Sequence, residues 1–200
     1  MVTKTENAYN FSEFNSLAQN GVISAIEKIN KDNKLPIIIC VGSDLVLGDS
    51  LGPLTGTLLK NKGINAYVYG SLSSPITATE VTWVAQTIKR FHKNSFIIAI
   101  DAAVGNDEDV GMIKVTDKGI KPGIGVNKNL GEIGDAGIIG VVAKRSKNND
   151  ELFNKTRLGA VYKMASKIAD ALYDYLTVYK EPEKKEKCVT SGKVRIRKVY

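Results

Sequence analysis

Histidine is nearly absent from this chain: His92 is the only one in 200 residues. Cysteine is almost as scarce, with Cys40 and Cys188 the only two. A Ser-His-Asp triad needs an imidazole beside its nucleophile, and a structural zinc site needs closely spaced Cys or His ligands. This composition builds neither readily, and no metal or other cofactor is expected. His92 stands among Lys89, Arg90 and Lys93 near the end of a predicted helix, where it reads as a C-terminal cap. Two distant cysteines are no disulfide framework, and the first residues hold no apolar leader, so the expected compartment is the reducing cytoplasm. Cys40 lies in an apolar run and reads as a small core residue. No apolar run approaches the ~20 residues that cross a bilayer, so no membrane partner is expected. A phosphate loop is missing too. Five residues separate Gly42 from Gly48 where a phosphate loop has four, and Asp49 stands where lysine would have to be.

Positive charge is present but misplaced for nucleic acid. The net charge is +7. Residues 180–200 carry eight Lys/Arg against three Glu, a net of +5, which leaves +2 for residues 1–179. Binding a polyanion needs charge clustered on a folded face, so nucleic acid is not an expected partner. The composition shift divides the chain into one domain over 1–179 and a flexible basic tail over 180–200.

Within that domain apolar periodicity alternates between helix and strand. Phe14, Leu17, Val22, Ile26 and Ile29 predict a helix over 11–29, bent near Gly21. Residues 37–41 form a β-branched run expected to be covered on both faces. A helix follows over 51–59, with Pro53 in its first turn, then a strand at 65–69. Thr77 and Glu80 match a capping box that opens a helix to about Phe91. Strands are expected at 96–100, 111–116 and 137–143, and a long helix over 149–178. The alternation predicts a three-layer α/β/α fold with a mostly parallel sheet.

In such sheets ligands bind beyond the carboxyl ends of the strands. Asp49 follows the first central strand and Asp101 ends another, so both project from one sheet edge. Two carboxyls brought close in a partly dry crevice share a proton, which gives a base–acid pair able to activate water against an amide. The Gly48–Ser50–Gly52 turn at the helix start offers backbone N–H groups to an oxyanion. Asp is also a frequent N-cap, and that reading stays open for Asp49. Residues 118–137 are glycine-rich yet punctuated by Ile120, Ile124, Val126, Leu130 and Ile133, which predicts an ordered loop bordering the crevice.

Three ordered motifs carry a family likeness: Gly42 with Gly48-Asp49-Ser50-Leu51-Gly52-Pro53, then Ile100-Asp101-Ala102, then Lys121-Pro122-Gly123-Ile124-Gly125-Val126-Asn127-Lys128. Together they resemble the bacterial spore (germination) proteases, and most closely the smaller YyaC-type sporulation proteins. The hydrogenase-maturation endopeptidases share the wider fold. The resemblance spans about residues 35–178. It implies a phosphorylase/hydrolase-like α/β/α fold and an aspartic-type endopeptidase with Asp49 and Asp101 as the catalytic pair. It places Pro122, Gly123, Gly125 and Lys128 in a substrate loop, and the protein in a forespore or spore interior. The implied partner is a peptide or a small spore protein. Two further readings stand beside it: a non-catalytic sporulation protein holding a peptide in the same crevice, and a metal-dependent maturation-type endopeptidase. No residue after His92 supplies the later histidine ligand such a metal site uses. The oligomeric state is not set by the sequence.

Overall fold

The fold is that of a computed structural model, which describes residues 3–5, 8–122, 132–145 and 156–178. The elements run β1 (Thr3–Thr5), β2 (Ala8–Ser12), α1 (Ala18–Ile29), β3 (Leu35–Cys40), α2 (Leu51–Asn61), β4 (Tyr67–Tyr69), α3 (Val81–Phe91), β5 (Ser95–Gly105), β6 (Met112–Thr116), β7 (Ala136–Lys144) and α4 (Leu158–Val178). The strands form one sheet in the order β1-β2-β6-β7-β5-β3-β4. Its centre is parallel: β3 pairs with β4 and β5, and β5 with β7. An antiparallel wing of β6, β2 and β1 extends one side.

Alternation along the strands sorts their side chains onto two cores. Ile38 and Cys40 of β3 and Phe96, Ile98 and Ile100 of β5 face α1, α2 and α4. Ile37 and Ile39, with Ile97 and Ala99, face α3 and the segment bearing Ile120 and Ile133. Both faces of the central strands are therefore dry, which is why β3 reads as an unbroken apolar run. The mixed α/β fold with helices on both faces agrees with the expectation. Cys40 is fully buried, and burial pushes its thiol up to about 12. His92 caps α3, its N–H donating to the Ile88 carbonyl.

Three local expectations are corrected. No helix covers 11–17: Phe11 lies in β2, opposite Ile113 of β6. Its ring packs on Gly21, where an added Cβ would come within about 2.5 Å of the ring, so Gly21 makes room for Phe11 in place of bending a helix. Phe14 and Leu17, which supplied the helical spacing, are 73% and 65% exposed. Second, β5 runs past Asp101 to Gly105, because β7 pairs with it along that whole length. Third, the last helix begins at Leu158, with Thr156 and Arg157 outside it. The expected tail over 180–200 lies outside the described residues. No helix among them is long and apolar enough to cross a membrane.

Candidate active site

The parallel strands all point their carboxyl ends to one edge of the sheet. The chain leaving β3 crosses by α2 to β4 on one side, whereas the chain leaving β5 goes to β6 and β7 on the other. The strand order thus reverses between β3 and β5, the kind of point at which open α/β sheets bind ligands. Asp49 lies in the connection leaving β3 and Asp101 on β5, so both belong to that switch point.

β3 stops at Cys40, opposite Ile100, while β5 continues. Asp101 is therefore the first β5 residue with no β3 partner. By alternation its side chain lies on the face of Ile97 and Ala99. Its Oδ1 accepts the Ala102 N–H at 2.8 Å.

Asp49 is placed by close backbone packing. After β3 the chain turns at Gly42, whose φ of +138° is costly for a side-chain-bearing residue. Gly42 donates its N–H to the Ile76 carbonyl at 2.9 Å, and a Cβ on it would lie 2.0 Å from the Asp49 carbonyl oxygen. Gly48–Ser50 then forms a 3-10 turn leading into α2. Gly52 presses against β3, where an added Cβ would meet the Val41 carbonyl oxygen at 2.0 Å. The buried Ser50 donates its Oγ–H to the Leu47 carbonyl at 2.6 Å.

The capping role left open for Asp49 is not the one it takes. No side chain caps α2 or the turn before it. The Ser43 backbone N–H instead acts on Asp49, favouring its anion against the effect of burial. That contact escaped the sequence reading, since a backbone donor has no side-chain signature; the positive-φ Gly42 beside it was the available hint.

Both carboxyls are half-buried by exposed surface but deeply ringed by protein, and the ring sets their electrostatics. Burial pushes Asp101 well above the usual carboxylate range, and the negative charge of Asp49 pushes it further; the Ala102 N–H offsets part of this. Burial also raises Asp49, with the Ser43 N–H opposing. Two neighbouring carboxyls whose anions are both disfavoured form an arrangement suited to sharing a proton.

Gly48, Ser50 and Gly52 share the Asp49 turn. The predicted substrate loop starts elsewhere. Ile120 and Ile133 form a buried antiparallel bridge on the α3 face, and Gly134 packs on Ile97 and Ala99. Pro122 is buried at the end of this segment. Gly123, Gly125 and Lys128 lie outside the described residues. Among the described residues no three His, Cys, Asp or Glu side chains converge as a metal-binding group.

A mostly parallel sheet covered by helices on both faces places this chain among mixed α/β proteins. More particularly, the chain belongs to the family described as "Protein of unknown function (DUF1256)", which matches residues 7–171. It is 39% identical over 137 residues to the uncharacterized protein YyaC of Bacillus subtilis (strain 168), a match covering 68% of this chain and 67% of that one. Among solved structures it is similar to the [NiFe] hydrogenase maturation protease HycI from Thermococcus kodakarensis KOD1. That likeness has a TM-score of 0.49 at 16% identity and covers 76% of this chain and 98% of the other.

Proposed function

We propose that the crevice is the active site of an aspartic-type endopeptidase in which Asp49 and Asp101 share one proton. The observation that carries this reading is the coupling of the two carboxyls, with Asp101 raised furthest and facing the charge of Asp49. In the resting pair Asp101 holds the proton. Asp49, stabilised as an anion by the Ser43 N–H, is the base. A water between them gives its proton to Asp49 as its oxygen bonds to the scissile carbonyl carbon. Asp101 protonates the carbonyl oxygen. The proton on Asp49 then passes to the amide nitrogen as the C–N bond breaks, and Asp101 recovers its own as the carboxyl product forms. Backbone N–H groups of the 48–52 turn are the candidate donors to the developing oxyanion, and the 121–128 segment is the candidate substrate loop.

The likeness of the three motifs to the spore proteases supports a peptide substrate, small spore proteins in particular, and a cytoplasmic site in the forespore or spore. The test is incubation of the protein with small spore proteins, with new termini read by mass spectrometry. Wild type is expected to cut. Asp49→Asn and Asp101→Asn are each expected to be slower by about 10²–10⁴-fold, the usual weight of a general acid or base, with unchanged circular dichroism. Cleavage by both variants at the wild-type rate would sink the dyad. Tight peptide binding without cleavage by wild type would instead favour a binding protein using the same crevice.

A further inference from the structure

The opposite edge of the sheet carries a different chemistry. There Lys34, Lys89, His92, Lys93, Ser95, Ile97 and Asp135 line an open depression of about 300 Å³. The three lysines come from separate places: the loop before β3, the last turn of α3, and the loop beyond α3. A basic residue in a last helical turn complements the helix dipole, which accounts for Lys89. It does not account for Lys34 or Lys93 converging on the same hollow.

The wall holds one carboxylate, Asp135, which is anchored to the sheet edge. Asp135 Oδ2 accepts the Ile97 N–H at 2.8 Å, and the Asp135 N–H donates to the Ile97 carbonyl at 2.7 Å. Lys34 meets Asp32 at 3.2 Å, but those side chains are 50% and 75% exposed, so the pair holds the lysine only weakly. Lys89 and Lys93 form no ion pair among the described residues. The hollow thus sets three lysines against the single carboxylate of Asp135, an excess of positive charge.

An aromatic platform adjoins it. The His92 ring lies 4.7 Å from the Tyr67 ring, centroid to centroid, and Nε2 of His92 is 3.3 Å from the Tyr69 hydroxyl. Tyr67 and Tyr69 stack at 6.5 Å. Tyr67 is held by these neighbours on the edge strand β4 yet is 54% exposed. A fixed, solvent-facing ring beside a cationic hollow suits a ligand that is anionic at one end and planar at the other.

We propose that this depression binds a nucleoside phosphate, its phosphates on Lys34, Lys89 and Lys93 and its base against the Tyr67–His92 platform. The site goes beyond the peptidase reading and does not depend on it. An occupant at this edge touches neither Asp49 nor Asp101, so its role is that of an effector.

Calorimetric titration of the full chain with ADP, pyrophosphate and adenosine tests the site. ADP is expected to bind at least about tenfold more tightly than pyrophosphate, a difference of about 1.4 kcal/mol, and adenosine more weakly than ADP. The double variant Lys89→Glu/Lys93→Glu is expected to lose about tenfold or more for both ADP and pyrophosphate. Tyr67→Ala is expected to weaken ADP alone. Unchanged melting temperatures show that the variants remain folded. ADP binding that survives the charge reversal, or no binding at millimolar ADP, overturns the site. Equal affinity for ADP and pyrophosphate, indifferent to Tyr67→Ala, overturns the nucleoside part. Far tighter binding of a short single-stranded oligonucleotide with the same variant sensitivity replaces the small ligand with nucleic acid.

Discussion

Burial and the charge of Asp49 both disfavour the Asp101 anion and raise its carboxyl well above the usual range, which makes stability depend on pH. On unfolding, its carboxyl returns toward the ordinary value of 3.8. Between that value and the raised folded one, the native protein holds a proton that the unfolded chain has released. Stability therefore falls as pH rises through this window, and the deficit persists above it. Asp101→Asn removes the deficit. It is expected to melt above wild type at pH 7, with the gap narrowing as pH is lowered toward 4; a variant no more stable at pH 7 contradicts the buried-acid assignment. Cleavage depends on the same group in the same direction, since the proposed reaction needs Asp101 protonated and slows as pH rises through its raised value. The rate needs Asp49 ionised and Asp101 protonated, so kcat/KM is expected to be bell-shaped in pH, its acid limb above the usual carboxylate range because Asp49 too is raised. Both aspartates were legible in the sequence because each follows an apolar β-run. The Ser43 N–H that opposes the rise of Asp49 was not, since a backbone donor leaves no side-chain signature.

Among the elements, α2 positions half of the candidate site, and it does so through main-chain contact. Gly52 allows the first turn of α2 to touch Val41, with no room for a Cβ beside the Val41 carbonyl oxygen. The atom in the way is backbone, so a rotamer change cannot relieve it. Gly52→Ala is expected to push the helix start off β3, at a cost of about 1–3 kcal/mol by the usual scale of overpacking. It is also expected to displace the Asp49 turn, so that a loss of cleavage accompanies the lower urea midpoint. An unchanged midpoint would mean that α2 does not approach β3 this closely. Where elements were legible, their signal was local: the β-branched runs of β3 and β5, Pro53 at the start of α2, and the Thr77–Glu80 box before α3, whose Glu80 carboxylate accepts the Thr77 N–H at 3.0 Å. The failures were non-local. Phe11 belongs to a strand because β6, a hundred residues later, pairs with it, and no window of neighbouring residues records that. The extension of β5 past Asp101 likewise depends on β7.

On the scale of the whole molecule, the antiparallel wing and the crevice sit far apart on one sheet but share a core. Phe11 of β2 is buried in the same cluster as Ile38 of β3, Ile100 of β5 and Leu172 of α4. β2 is three strand spacings from β5, or about 14 Å at ~4.8 Å per spacing. The apolar core is thus continuous across the sheet, while the proposed dyad sits at one edge of it. Phe11→Ala separates the two. It deletes a buried ring that packs on Gly21 of α1, and such truncations cost about 3–5 kcal/mol. Because the wing and the parallel centre share their apolar contacts, the loss is expected to lower a single unfolding transition seen equally by tyrosine fluorescence and far-ultraviolet circular dichroism. Cleavage or peptide binding per folded molecule is expected to stay at the wild-type level, since Phe11 lies in β2, three strand spacings from β5. Two separated transitions would show that the wing folds on its own. A loss of activity in the folded variant would show that the wing reaches the crevice through the shared core.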